Sequence, residues 1–166
     1  KDGRSIENYS VAFGSKGLGK ARPGDRKTPV GTFRLGKPRR SNSGYHKFIP
    51  IKIPKSMGSA VGIHGPSRWA RWLGPFNVIR NWTAGCVAVW SDSAIEEISS
   101  FVKKHPRAMV KITHSEHAAT NTLADKNTHL ETGDLIFQTS KTKVATTVIG
   151  GTGSVLTHVG MIVMKR

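Results

Sequence analysis

Only one stretch of this chain repeats its apolar residues at helical spacing. Ile95, Ile98 and Val102, with Phe101 beside them, make a stripe that ends near Lys104, and Pro106 closes it. Elsewhere the apolar residues come in short, strand-length runs, cut by 18 glycines and 8 prolines. This pattern predicts a mainly β domain with one clear α-helix. Strands are expected over 8–14, 30–35, 45–53, 60–64, 87–90 and 109–112. Pro50 has no N–H to give a ladder, which argues for a sheet edge there. Ser93 is a possible helix cap, with Glu96 three residues on as in a capping box. Residues 39–44 read as a polar turn. Residues 68–80 read as a loop carrying Trp69, Trp72 and Phe76.

Charge divides the chain. The formal net charge is +16, and 21 of the 26 Lys/Arg but only 6 of the 10 Asp/Glu lie in residues 1–112. Residues 113–127 are polar with few large hydrophobes and read as a linker. The expected organisation is a basic domain over 1–112, that linker, and a second unit over 128–166. A basic face of this size implies a polyanionic partner, or simply a solvated surface. No helix-turn-helix, zinc-finger or RNP-type pattern is present, so nucleic acid is not the expected partner. No apolar run approaches the length of a membrane span. The first residue is Lys1 and no signal peptide is visible, which suggests a fragment or a processed chain.

Cys86 is the single cysteine, so it cannot form an internal disulfide. It is either a small buried hydrophobe or a reactive thiol. Its flanks, Asn81-Trp82-Thr83-Ala84-Gly85-Cys86-Val87-Ala88-Val89, favour the thiol. Gly85 lets backbone approach closely and frees an N–H to face a reacting group. His64, in Gly62-Ile63-His64-Gly65-Pro66, supplies the second half of a Cys/His pair. Acyl transfer from a peptide needs a strong nucleophile, and a thiolate serves if a nearby cation lowers its pKa. His64 would take the thiol proton and return it to the leaving amine. Neither motif holds an acid to orient the imidazole, so a backbone carbonyl at or near Gly65 is expected to do so. The N–H groups of Gly85 and Cys86 are the expected oxyanion donors.

These residues resemble the L,D-transpeptidase catalytic domain of the YkuD type, from about Tyr9 to Ile112. Four ordered stretches carry the resemblance: Pro23-Gly24-Asp25-Arg26-Lys27-Thr28-Pro29-Val30-Gly31-Thr32-Phe33, Tyr45-His46-Lys47-Phe48, Ile63-His64-Gly65, and Asn81 to Val89. The branch it is most similar to reads Asp-Trp-Thr-x-Gly-Cys. Ala84 stands where the better-known motif has histidine, and Asn81 stands where this branch has aspartate. The resemblance implies a β-sandwich with the cysteine in a groove. It implies attack on a peptidoglycan stem-peptide carbonyl, loss of a terminal D-amino acid, and an acyl-enzyme resolved by an amine or by water. It also implies a periplasmic or envelope location, with stem peptides and other envelope polyanions as partners and no cofactor. Trp82, Thr83, Tyr45, His46, Asn81 and Arg80 are the candidate substrate contacts, with Trp69 and Trp72 as possible groove walls. Arg68, Arg71 and Arg80 are candidates to grip stem-peptide carboxylates. The reading from another class is a catalytically idle, basic module that binds the envelope.

Residues 128–166 resemble the opening of a permuted NlpC/P60 hydrolase, an incomplete α+β papain-like unit, with His158 in Thr157-His158-Val159-Gly160 as its candidate histidine. Three patterns are set aside. Gly14-Ser15-Lys16-Gly17-Leu18-Gly19-Lys20-Ala21 nearly spells a P-loop, but Ala21 lacks the magnesium-binding hydroxyl and no helix can open at Pro23. His114 and His117 have helical ligand spacing without the glutamate of a zinc protease, so no metal is expected. Gly150-Gly151-Thr152-Gly153-Ser154 is a flexible turn with no helix after it.

Overall fold

The computed structural model describes the backbone of residues 4–114, 135–139 and 157–164, and side chains from Tyr9 to Thr113. Among the described residues, nine strands form one sheet: β1 (Arg4–Ala12), β2 (Gly31–Leu35), β3 (Arg39–Arg40), β4 (Lys47–Lys52), β5 (Gly62–His64), β6 (Val87–Val89), β7 (Met109–His114), β8 (Leu135–Thr139) and β9 (Thr157–Met164). Their order is β2-β7-β8-β9-β1-β6-β5-β4-β3. β2 also pairs with β4, so the sheet curls until its two ends meet. The mainly β expectation holds, and where a β-sandwich was expected the described strands form one curled sheet.

The core explains the curl. Val11, Ile49, Ile63, Val87, Val89, Val110 and Ile112, from β1, β4, β5, β6 and β7, are buried together with Phe13 just past β1. Helix α1 (Asp92–Lys104) packs against β4 and β6 and closes that core with Ile95, Ile98, Phe101 and Val102. Each such side chain contributes about 1.5–3 kcal/mol relative to exposure. Gly65 permits this packing beside the histidine: a Cβ there would lie 3.0 Å from Ile95 Cγ2 and 3.1 Å from Asp92 Oδ1.

Pro50 does not mark an edge. β4 pairs with β5 at Pro50 and with β2 and β3 on its other side. The Pro50 carbonyl accepts from the Gly36 N–H at 2.7 Å, so its missing N–H faces that same side. There β2 has ended at Leu35 and β3 has yet to begin at Arg39, and the ladder needs no donor. The helix cap also differs. Ser91 Oγ accepts from the Ala94 N–H at 3.0 Å, two residues earlier than the expected cap Ser93. Glu96 is drawn away from the helix end, to His46 at 2.6 Å and Lys47 at 3.4 Å.

β8 pairs parallel with β7, and β9 pairs antiparallel with β1 along Arg4–Val11. Both strands therefore complete the same sheet, where the sequence suggested the opening of a separate papain-like unit. Most of the expected linker, 115–127, lies outside the described residues. So do the side chain of His158 and those of His114 and His117.

Candidate active site

β5 and β6 run side by side in parallel, with His64 opposite Ala88. Cys86 comes two residues before Ala88, so strand alternation puts it on the face that His64 takes. Cys86 Sγ donates to Ala60 O at 3.5 Å, and the Gly62 backbone also approaches the thiol. Both residues lie on the segment that leads into His64.

The imidazole is held on two sides. Its Nδ1 lies 2.7 Å from Gly65 O. A carbonyl oxygen only accepts, so Nδ1 carries the proton and Nε2 is left with a lone pair. Tyr45 stacks on the ring with centroids 3.9 Å apart, and Trp82 meets it edge-on at 5.7 Å. His64 is fully enclosed, and burial lowers its pKa to about 4 against a smaller opposing effect of the Gly65 carbonyl. Burial also pushes the Cys86 thiol up, while the Gly62 backbone and the Lys20 cation pull it down by less. The resting pair is thus a neutral thiol and a neutral imidazole. The sequence had suggested a thiol already lowered by a cation; desolvation outweighs that pull.

The loop that presents Cys86 is tied from within. Thr83 Oγ1 donates to Cys86 O at 2.6 Å and accepts from the Gly85 N–H at 3.1 Å. Thr28 Oγ1 lies 3.4 Å from the same carbonyl and accepts from the Gly14 N–H at 2.8 Å. Gly85 has φ 131°, and a Cβ on it would stand 2.7 Å from Lys27 O, so glycine is required here. The Gly85 N–H, one of the two expected oxyanion donors, is bound to Thr83 Oγ1.

Several of the other expected contacts have partners within the fold. Thr83 is buried and its hydroxyl stays inside the turn. Asn81 Oδ1 accepts from the Phe13 N–H at 2.8 Å and anchors the motif to the end of β1. His46 Nε2 is held by Glu96, and Arg71 Nε by Asp92 at 2.9 Å. Arg80 lines an open cavity of about 350 Å³ with Trp82, Phe76 and Leu73. Trp69 and Trp72 are 86% and 82% exposed, so neither forms a packed groove wall. Lys20, passed over as part of a P-loop look-alike, has its side chain only 4% exposed and its Nζ 2.8 Å from Asp25 Oδ1. The spacing Lys20-x-x-x-x-Asp25 was the available signal, and a five-residue ion pair inside a loop has no periodicity to reveal it.

Among the described residues no group of His, Cys, Asp and Glu is placed to hold a metal. None of their helices is long and apolar enough to cross a membrane. Comparison with curated proteins and with solved structures finds no match. The family model of the L,D-transpeptidase catalytic domain, YkuD, matches residues 1–149 and gives no support to a separate NlpC/P60 unit. That match spans the tied cysteine loop, the oriented histidine and β8 alike, and the chain belongs to the YkuD L,D-transpeptidase family.

Proposed function

We propose that Cys86 and His64 carry a cysteine-dependent acyl transfer on peptidoglycan stem peptides. Family membership gives the coarser part, an L,D-transpeptidase-type enzyme acting on the cell wall. The observation that supports the finer part is the tautomer of His64: with Nδ1–H given to Gly65, Nε2 is an acceptor on the cysteine's face. In the first step the thiol exchanges Ala60 O for His64 Nε2. Sγ then attacks the stem-peptide carbonyl as its proton passes to Nε2. The Cys86 N–H, next after the Gly85 N–H that is bound to Thr83, is the motif amide assigned to the developing oxyanion. When the C–N bond breaks, the imidazolium returns its proton to the departing amine and a thioester remains. An acceptor amine or water, deprotonated by the same Nε2, then attacks the thioester; the C–S bond breaks and Sγ takes the proton back from the imidazolium, which completes transfer or hydrolysis. The uncharged resting pair favours this concerted proton transfer over a preformed thiolate.

Tyr45 and Trp82 are the groups assigned to the substrate backbone, because both touch the His64 ring. Intact-mass analysis after mixing with a muropeptide tetrapeptide is expected to find one acyl adduct, on the peptide containing Cys86. Cys86→Ala should show neither adduct nor turnover while keeping its fold. Turnover by that variant would overturn the assignment. Wall binding by the native chain without turnover or adduct would leave the idle, basic envelope-binding module as the reading.

A further inference from the structure

The loop between β1 and β2 holds a cation that the mechanism above does not use. Lys20 extends inward from a chain that turns at Gly17 and Gly19, both at positive φ, and is fastened where the Gly19 and Lys20 N–H groups meet Thr28 O at 2.9 and 3.2 Å. Its ammonium is paired with Asp25. That carboxylate is itself gripped by the N–H groups of Ala21, Arg22 and Lys27 at 2.8–3.1 Å, and Lys20 holds it well below the usual carboxylate range. The far side of the ammonium faces the nucleophile loop: Lys20 Nζ stands 3.5 Å from the point where a Gly85 Cβ would be. A buried lysine fixed this firmly has no reach to solvent, so its charge acts on what lies beside it.

The charge of Lys20 reaches the thiol of Cys86, the residue after Gly85, and pulls it down. The titratable groups set around Cys86 among the described residues are His64 on β5, Tyr45 before β4, and Lys20 with Asp25 on this loop. His64 stays uncharged down to a pKa of about 4, and a phenol such as Tyr45 carries no positive charge in either state, so neither is a cation at neutral pH. We infer that Lys20 is a positioning residue: its ammonium, clamped by Asp25 against the Gly85–Cys86 peptide, stabilises the negative charge that Cys86 takes on as its proton leaves. This rests on the reading of Cys86 as nucleophile, but it concerns ionisation of the sulfur and can be read without turnover.

Because Cys86 is the single thiol of the chain, alkylation by iodoacetamide reports on it alone. The rate is measured against pH for the native chain, Lys20→Met and Lys20→Arg, with thermal melts to show that each is folded. Lys20→Met is expected to move the inflection up by about one pH unit, the scale of a lost neighbouring opposite charge. At neutral pH the thiolate fraction then falls about tenfold, and the rate about threefold, because the more basic sulfur is the better nucleophile. Lys20→Arg should restore most of the shift. An unmoved inflection in folded Lys20→Met, or an arginine form that behaves like the methionine form, overturns the proposal. If Lys20→Met does not fold, the native chain answers: the ¹⁵Nζ resonance of Lys20 should show an inflection at the thiol titration that vanishes in Cys86→Ala. Identical titrations in the two chains overturn it. Normal coupling in a chain that makes no acyl adduct would instead fault the proposed function and leave this inference standing.

Discussion

Burial of the neutral His64 ring links stability to pH with a definite sign. The unfolded chain takes up a proton near 6.5 and the folded one near 4, so between these values the unfolded state holds more protons. Stability should therefore fall as pH drops through that window and level off below it, by about 3 kcal/mol in all. Thermal melts across the range should show the decline, and His64→Gln, which does not titrate, should show a flatter profile. For activity, the acid limb of kcat/KM belongs near pH 4, well below that of a free histidine. A limb near 6.5 would mean that the ring is solvated in the working enzyme. His64→Ala should lower kcat/KM by about 100-fold or more. His46→Ala should cost little, because its ring is turned to Glu96 on the surface of α1.

At the scale of the element, two substitutions separate the sequence pattern from the fold. Ser91→Ala removes the side-chain acceptor for the Ala94 N–H and should cost about 1 kcal/mol by denaturant titration. Ser93→Ala, at the position the capping pattern favoured, leaves that bond in place and should cost less. Gly62→Ala is the severer test of β5. Its Cβ would fall 2.4 Å from Phe48 Cζ and 2.6 Å from Ile49 O, inside the β4–β5 pairing. About 1–3 kcal/mol of overpacking is expected, together with slower alkylation of Cys86, since the Gly62 backbone contacts the thiol. The helix and most strands were legible because their apolar periodicity is local. The true cap was not, since Ser91 and Ser93 offer the same hydroxyl and the direction of chain entry decides between them.

For the whole molecule, the decisive feature is that β8 and β9 lie between β7 and β1 in the sheet order. Removing residues 128–166 would leave β1 and β7 with open edges on the sides that β9 and β8 now cover. The truncated chain is expected to melt lower and to aggregate, measured by calorimetry and light scattering. A truncated chain as stable as the native one would restore residues 1–112 as an independent domain. The sequence by itself determined the family, through the ordered motifs that include His64-Gly65 and Gly85-Cys86, and it put forward the cysteine and histidine of the proposed mechanism. It also determined the β character, through short apolar runs cut by glycine and proline. Only the tertiary structure decided the charge state of the pair, because desolvation depends on everything packed around Cys86 and His64. It alone decided that Pro50 is interior, that Gly85 gives its N–H to Thr83, and that Lys20 is buried against the loop that carries Cys86. Each of these is a contact between segments far apart in the chain or a choice among equivalent local partners, and neither leaves a periodic mark in sequence.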